Sequence, residues 1–129
     1  MTIAYWCVLA AALMPIVWTA CAKAGGMRTG AGRLDNNAPR DYLARLQGWP
    51  QRANWAQQNA FEAFAPFAAG VIIAHLAGTS QATIDTLALV FIAARLVYGG
   101  LYMADLATLR TLAWTAGLAC TILLFVLSA

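Results

Sequence analysis

The stretch Arg52-Ala-Asn-Trp55-Ala-Gln-Gln58-Asn59-Ala-Phe-Glu62-Ala-Phe-Ala-Pro66-Phe67 decides how the rest of the chain is read. A polar, basic connector precedes it and an apolar run to about Ala77 follows it. Spacings of three, four, three and four put Arg52, Trp55, Asn59, Glu62 and Pro66 on one stripe of a helix. A guanidinium, an amide and a carboxylate on a helix entering a membrane are costly and call for an explanation. The stripe therefore reads as half of a binding site for an anionic, polar ligand.

The bulk composition supports the membrane reading. Of 129 residues, 62% are hydrophobic and only 10% charged, against roughly a quarter charged in soluble domains. That length fits four spans of about 20 residues each, with short loops. The spans expected are 2–22, 55–77, 82–103 and 111–128, in a single all-α domain over 1–129. The first resembles a signal peptide at Ala20-Cys21-Ala22, but it lacks a basic leader and its apolar run is too long, so it reads as a retained helix. Between the first two spans lies the polar connector, with Gly25-Gly26, Gly30 and Gly32 expected to make its first half flexible. A short amphipathic helix is expected over 41–47, after Pro39 and before Gly48.

Charge sets the expected orientation. Lys23, Arg28, Arg33, Arg40, Arg45 and Arg52, six of the eight basic residues, fall between the first two spans. The positive-inside rule puts this loop and the second one, which carries Asp105, in the cytoplasm, with both termini on the other side. Basic residues beside spans are explained by orientation and by anionic lipid, so nucleic acid is not an expected partner. Cys7, Cys21 and Cys120 lie in apolar segments at no metal-like spacing, and His75 is the sole histidine, so no metal site is expected.

Two charges fall inside the spans. Glu62 stands about 10 Å deep in the second, and Arg95 lies at nearly the same depth in the third, at 1.5 Å per residue. An ion pair between them is expected, since either charge alone at that depth would cost several kcal/mol. Tyr98 and Tyr102 follow Arg95 along its face. With Asn59, Arg52, Lys23 and Arg110, they form a polar funnel floored by the Glu62–Arg95 pair. Such a funnel suits a small molecule bearing carboxylates. A guanidinium at its mouth would stabilise a thiolate or oxyanion on that molecule.

These residues resemble the MAPEG family, membrane-associated proteins in eicosanoid and glutathione metabolism. The likeness rests on Asn59-x-x-Glu62-x-x-x-Pro66 together with Arg95-x-x-Tyr98-x-x-x-Tyr102, and it extends over nearly the whole chain. It implies an all-α integral membrane protein, a four-transmembrane-helix bundle assembling as a homotrimer. Glutathione would lie in a cytoplasm-facing cleft between subunits. Asn59, Glu62, Arg95, Tyr98 and Tyr102 match family ligand residues, and Arg110 matches the arginine that activates the thiol. Lys23 and Arg52 are the cations that replace arginines the family carries elsewhere. Trp55, Ala56 and Gln58 occupy positions where family enzymes often have arginine, and Trp114 stands where some members use tyrosine.

The resemblance implies a glutathione-dependent transferase or peroxidase acting on lipophilic electrophiles, of the short bacterial kind and so placed in an inner membrane. The alternative is a non-catalytic lipid-binding or scaffold member of the same fold. A small multidrug exporter is disfavoured, because its membrane carboxylate belongs in the first span and lacks an arginine partner at the same depth.

Overall fold

The computed structural model describes residues 1–129 and contains five helices. These are α1 (Ile3–Arg28), α2 (Pro39–Ala44), α3 (Trp49–Leu76), α4 (Gln81–Met103) and α5 (Ala107–Val126). All but α2 are long and apolar enough to cross a membrane. Each boundary has a local cause. Thr2 caps α1 by accepting the Tyr5 N–H. Pro39 and Pro50 stand in the first turns of α2 and α3, where a missing N–H costs nothing. Gly78, at φ 79°, turns the chain between α3 and α4.

α1 lies along α3 and α4 lies along α5, while α3 and α4 bring the two pairs together. Both termini lie at one end of the bundle, and the α1–α3 connector and α4–α5 corner lie at the other, the basic end. Three apolar clusters fill the space between them. Near the termini, the Phe67 and Phe91 rings stack at 3.7 Å among Ala4, Ala11, Val71 and Leu124. Met14, Trp18, Ala56, Ala60 and Tyr98 form the second cluster. At the basic end, Tyr42, Leu43 and Leu46 pack over Ala22 and Ala53.

Two helices extend more than a turn beyond one end of the span expected from hydropathy, and α5 starts at Ala107, four residues before the expected 111. α1 continues to Arg28 and α3 starts at Trp49. At 26 and 28 residues they run roughly 39 and 42 Å, about 10 Å beyond a 30 Å hydrocarbon core. α2 is the short helix expected in the connector, although it begins at Pro39 and ends at Ala44. It packs on the projecting turns of α1 and α3. Gly25 and Gly26, expected to loosen the connector, are instead buried in α1. A Cβ on Gly25 would strike the Trp49 ring, and one on Gly26 would come within 2.6 Å of the Tyr42 hydroxyl. Close packing keeps these two glycines helical, overriding their weak propensity. Beyond them, Gly30 and Gly32 take positive φ in open space, as a connector requires.

Candidate functional site

The polar stripe of α3 meets the polar face of α4 near the basic end. Arg95 is only 3% exposed, so its charge requires partners. Its Nη2 donates to Asn59 Oδ1 at 2.7 Å, and its guanidinium carbon lies 4.5 Å from the centre of the Tyr98 ring. Asn59 in turn donates through Nδ2 to Glu62 Oε2 at 2.9 Å. The expected contact between Glu62 and Arg95 is therefore indirect. Depth alone matched the two residues correctly. The reason they do not touch is that Asn59, one turn before Glu62, fills the gap with an amide that accepts from the cation and donates to the anion.

The relay is not closed. Arg95 Nε is buried without a partner, and Glu62 is exposed on the outer side of the helix. Pro66, one turn further along, cannot donate to the Glu62 carbonyl, so that helix turn carries an additional free acceptor. These features border a cleft of about 180 Å³ between α3, α4 and α5. Its polar edge is Asn59, Glu62 and Arg95, while Pro66, Phe91, Trp114 and Leu118 make it apolar deeper in.

Toward the basic end the same surface continues as two more hollows. Trp55, Gln58, Asn59 and Glu62 face Tyr98 and Tyr102 across one of about 330 Å³. Tyr98, Tyr102, Arg110 and Trp114 line another of about 190 Å³. The Tyr98 and Tyr102 rings meet edge to face at 5.5 Å, and Trp55 lies 6.0 Å from Tyr102. The guanidinium carbon of Arg110 sits 4.3 Å from the Tyr102 ring centre. An aromatic face holds a cation without neutralising it by a carboxylate, so Arg110 keeps its donors for an incoming anion. Asn59, Glu62, Arg95, Tyr98, Tyr102 and Arg110 thus form one continuous polar surface.

Lys23 and Arg52 stand elsewhere. Lys23, half-buried near the end of α1, lines none of these three hollows. Arg52 turns toward the end of α4, where its Nε and Nη2 donate to the Met103 carbonyl at 3.3 and 3.1 Å. Its Nη1 also lies 3.8 Å from Asp105 Oδ2. Asp105 is the one residue other than glycine with positive φ, at 63°, a conformation that costs an L-residue about 1 kcal/mol.

A fourth hollow, not expected from the sequence, lies on the adjoining face of α3 and shares Trp55 and Gln58 with the second. Arg40, Gln51, Asn54, Gln57 and Gln58 line it, with Leu43, Trp55 and Phe61, and its volume is about 490 Å³. Asn54 is 8% exposed and Gln57 Oε1 is buried without a partner. The signal was available: Asn54 and Gln57, flanked by Gln51 and Gln58, recur at helical spacing just beside the Glu62 stripe.

Fold and site together define a polytopic four-helix membrane protein whose buried arginine and aromatic-held cation open toward one end of the bundle. The chain belongs to the MAPEG family, whose model matches residues 3–129. No curated protein and no solved structure was found to match it. The membership makes this an integral membrane protein of a family that includes glutathione transferases and peroxidases.

Proposed function

We propose that the protein binds glutathione at the surface formed by α3, α4 and the start of α5, and catalyses its reaction with lipophilic electrophiles. The observation that carries this reading is the Glu62–Asn59–Arg95 relay opening onto two tyrosines and an arginine that no carboxylate neutralises. Glutathione is a tripeptide with two carboxylates, one ammonium and a thiol, and the surface offers counterparts for the ammonium, one carboxylate and the thiol. Glu62 accepts from the ammonium. The guanidinium of Arg95 and the tyrosine hydroxyls suit a carboxylate. Arg110 is the catalytic residue: a cation beside the thiol favours its thiolate and lowers its pKa. Glutathione supplies the nucleophile, so the chain needs no Ser–His or Cys–His pair of its own. The apolar end of the α3–α5 cleft, at Phe91, Pro66 and Leu118, is where an oily substrate would approach from lipid.

The same reading includes a homotrimer with the site between neighbouring subunits. Two observations support it: Glu62 is exposed, and Gln57 Oε1 is buried without a partner within the chain. A bacterial inner membrane, with the basic end in the cytoplasm, completes the proposal. Lys23 and Arg52 are outside the proposed contacts: Lys23 lines none of the three hollows, and the Arg52 guanidinium is held at Met103 O and Asp105. Calorimetry on purified protein tests the reading: we expect saturable glutathione binding, weakened about tenfold or more by Glu62→Gln, and glutathione conjugation of an aryl halide. The apolar depth of the cleft favours one second reading, a non-catalytic lipid-binding member. Bound lipid without any glutathione heat would establish that reading instead.

A further inference from the structure

We infer that Arg52 and Asp105 form a clasp that positions Arg110, an inference that rests on the thiol-activating role proposed for Arg110. Two backbone hydrogen bonds close the end of α4. There the Leu106 N–H reaches the Leu101 carbonyl at 3.0 Å and the Asp105 N–H reaches Tyr102 O at 3.1 Å. This is the pairing of a Schellman motif, with Asp105 in the left-handed position that glycine normally takes. Those bonds satisfy the carbonyls of Leu101 and Tyr102. The next one, Met103 O, accepts two donors from Arg52 across 51 residues of chain.

An aspartate in the place of glycine is unfavourable for the backbone, so its side chain is the reason to look for. The Asp105 carboxylate sits 3.8 Å from the same guanidinium. That pair is exposed and by itself worth little; the two bonds to Met103 O are the stronger half of the clasp. Its geometry has a consequence for the site. Only residues 104–106 join α4 to α5, and no side chain caps the α5 N-terminus. Arg110 lies one turn into α5, with its N–H on Leu106 O at 2.9 Å. Its place over Tyr102 therefore depends on the angle of this corner. Arg52, on α3, ties the corner to the helix that carries Asn59 and Glu62. Arg52 is a positioning residue: it fixes the distance between the two halves of the site and touches neither the ligand nor the reacting atoms.

Two measurements separate this inference from the functional reading. The first is amide hydrogen exchange of the segment 104–111 in the purified, ligand-free protein. Arg52→Gln should raise its exchange rate about tenfold or more, Arg52→Lys much less, and Arg110→Ala not at all. Unchanged exchange in Arg52→Gln overturns the inference, whatever glutathione does. The second is the pH titration of bound glutathione to its thiolate. Arg52→Gln should lose about tenfold in kcat and raise the thiolate pKa, with KM for glutathione within about twofold, since a misplaced group costs rate more than binding. A rise in KM with kcat and thiolate pKa unchanged would make Arg52 a ligand contact and overturn the clasp. If Arg110→Ala leaves the thiolate unchanged while exchange responds to Arg52, the functional reading falls and the clasp stands. Should Arg52→Gln not fold, Asp105→Gly serves: it removes the carboxylate while relieving the backbone, and it should still loosen the segment. An acid near the α5 N-terminus is favourable without any partner. The loosening by Asp105→Gly should therefore be smaller in an Arg52→Met background, which has no cation to face the carboxylate, and equal effects in both would contradict the clasp.

Discussion

The bundle holds a polar cluster near each end, and the two are built differently. Near the termini, Asp85 Oδ1 accepts the Ala4 N–H and the Gln81 side-chain N–H, both at 2.8 Å. Gln81 Oε1 lies 3.1 Å from His75 Nδ1, and the His75 ring meets Tyr5 edge to face at 5.3 Å. In this cluster the hydrogen-bonding groups find one another, and one of them closes the start of α1. It is a joint between α1, α3 and α4. Near the basic end, Arg95, Asn59 and Glu62 form a similar chain of contacts but leave Arg95 Nε, the outer face of Glu62 and the donors of Arg110 uncommitted. Saturated polar groups hold helices together; unsaturated ones in the same bundle are where a ligand gains affinity.

That contrast can be broken by substitution, and the expected effects fall in order. Asn59→Leu removes the relay, leaving Arg95 buried and Glu62 unsupported. We expect about 3 kcal/mol lost in detergent unfolding, together with glutathione binding. Gly99→Ala, one turn past Arg95 on the side of α4 that faces α1, would drive a methyl into the Trp18 ring. It should cost about 1–3 kcal/mol by overpacking, while the affinity of molecules that remain folded stays near wild type. Asp85→Ala opens the joint near the termini and should cost about 1–2 kcal/mol, again with glutathione affinity unchanged. A loss of glutathione binding in Asp85→Ala as large as in Asn59→Leu would erase the distinction. His75→Ala, at the exposed end of the same cluster, should shift unfolding by less than about 0.5 kcal/mol.

Most of the fold was legible in the sequence because hydropathy and length constrain a membrane bundle strongly. Four spanning helices were expected and four helices long and apolar enough to span are present, while the short connector helix, expected over 41–47, runs from Pro39 to Ala44. The two largest boundary differences share one cause. α1 and α3 continue past the apolar run because Trp49, Tyr42 and Leu46 pack on Gly25 and Gly26, and no local pattern shows contacts made across about 20 residues of connector. In the site, spacing put Asn59, Glu62 and Pro66 on one face and depth matched Glu62 to Arg95. Spacing could not show that Asn59 stands between the two charges. Nor could it show where a long side chain goes: Arg52 starts on the predicted stripe, yet its guanidinium crosses to the free carbonyl at the end of α4. Periodicity places Cβ atoms, and the last several ångströms of an arginine are settled by whatever acceptor lies nearest.

Arg110, held over Tyr102 by its ring rather than by a carboxylate, is the residue proposed to activate a thiol at the basic end. The most direct test of that role is the ultraviolet titration of glutathione thiolate on purified wild-type and Arg110→Ala protein. The account predicts that wild type forms bound thiolate at a pH well below that of free glutathione. Arg110→Ala should return the titration toward the free value and lower conjugation about 100-fold, without change in unfolding. Identical thiolate titrations for the two proteins, at the pH of free glutathione, would contradict it.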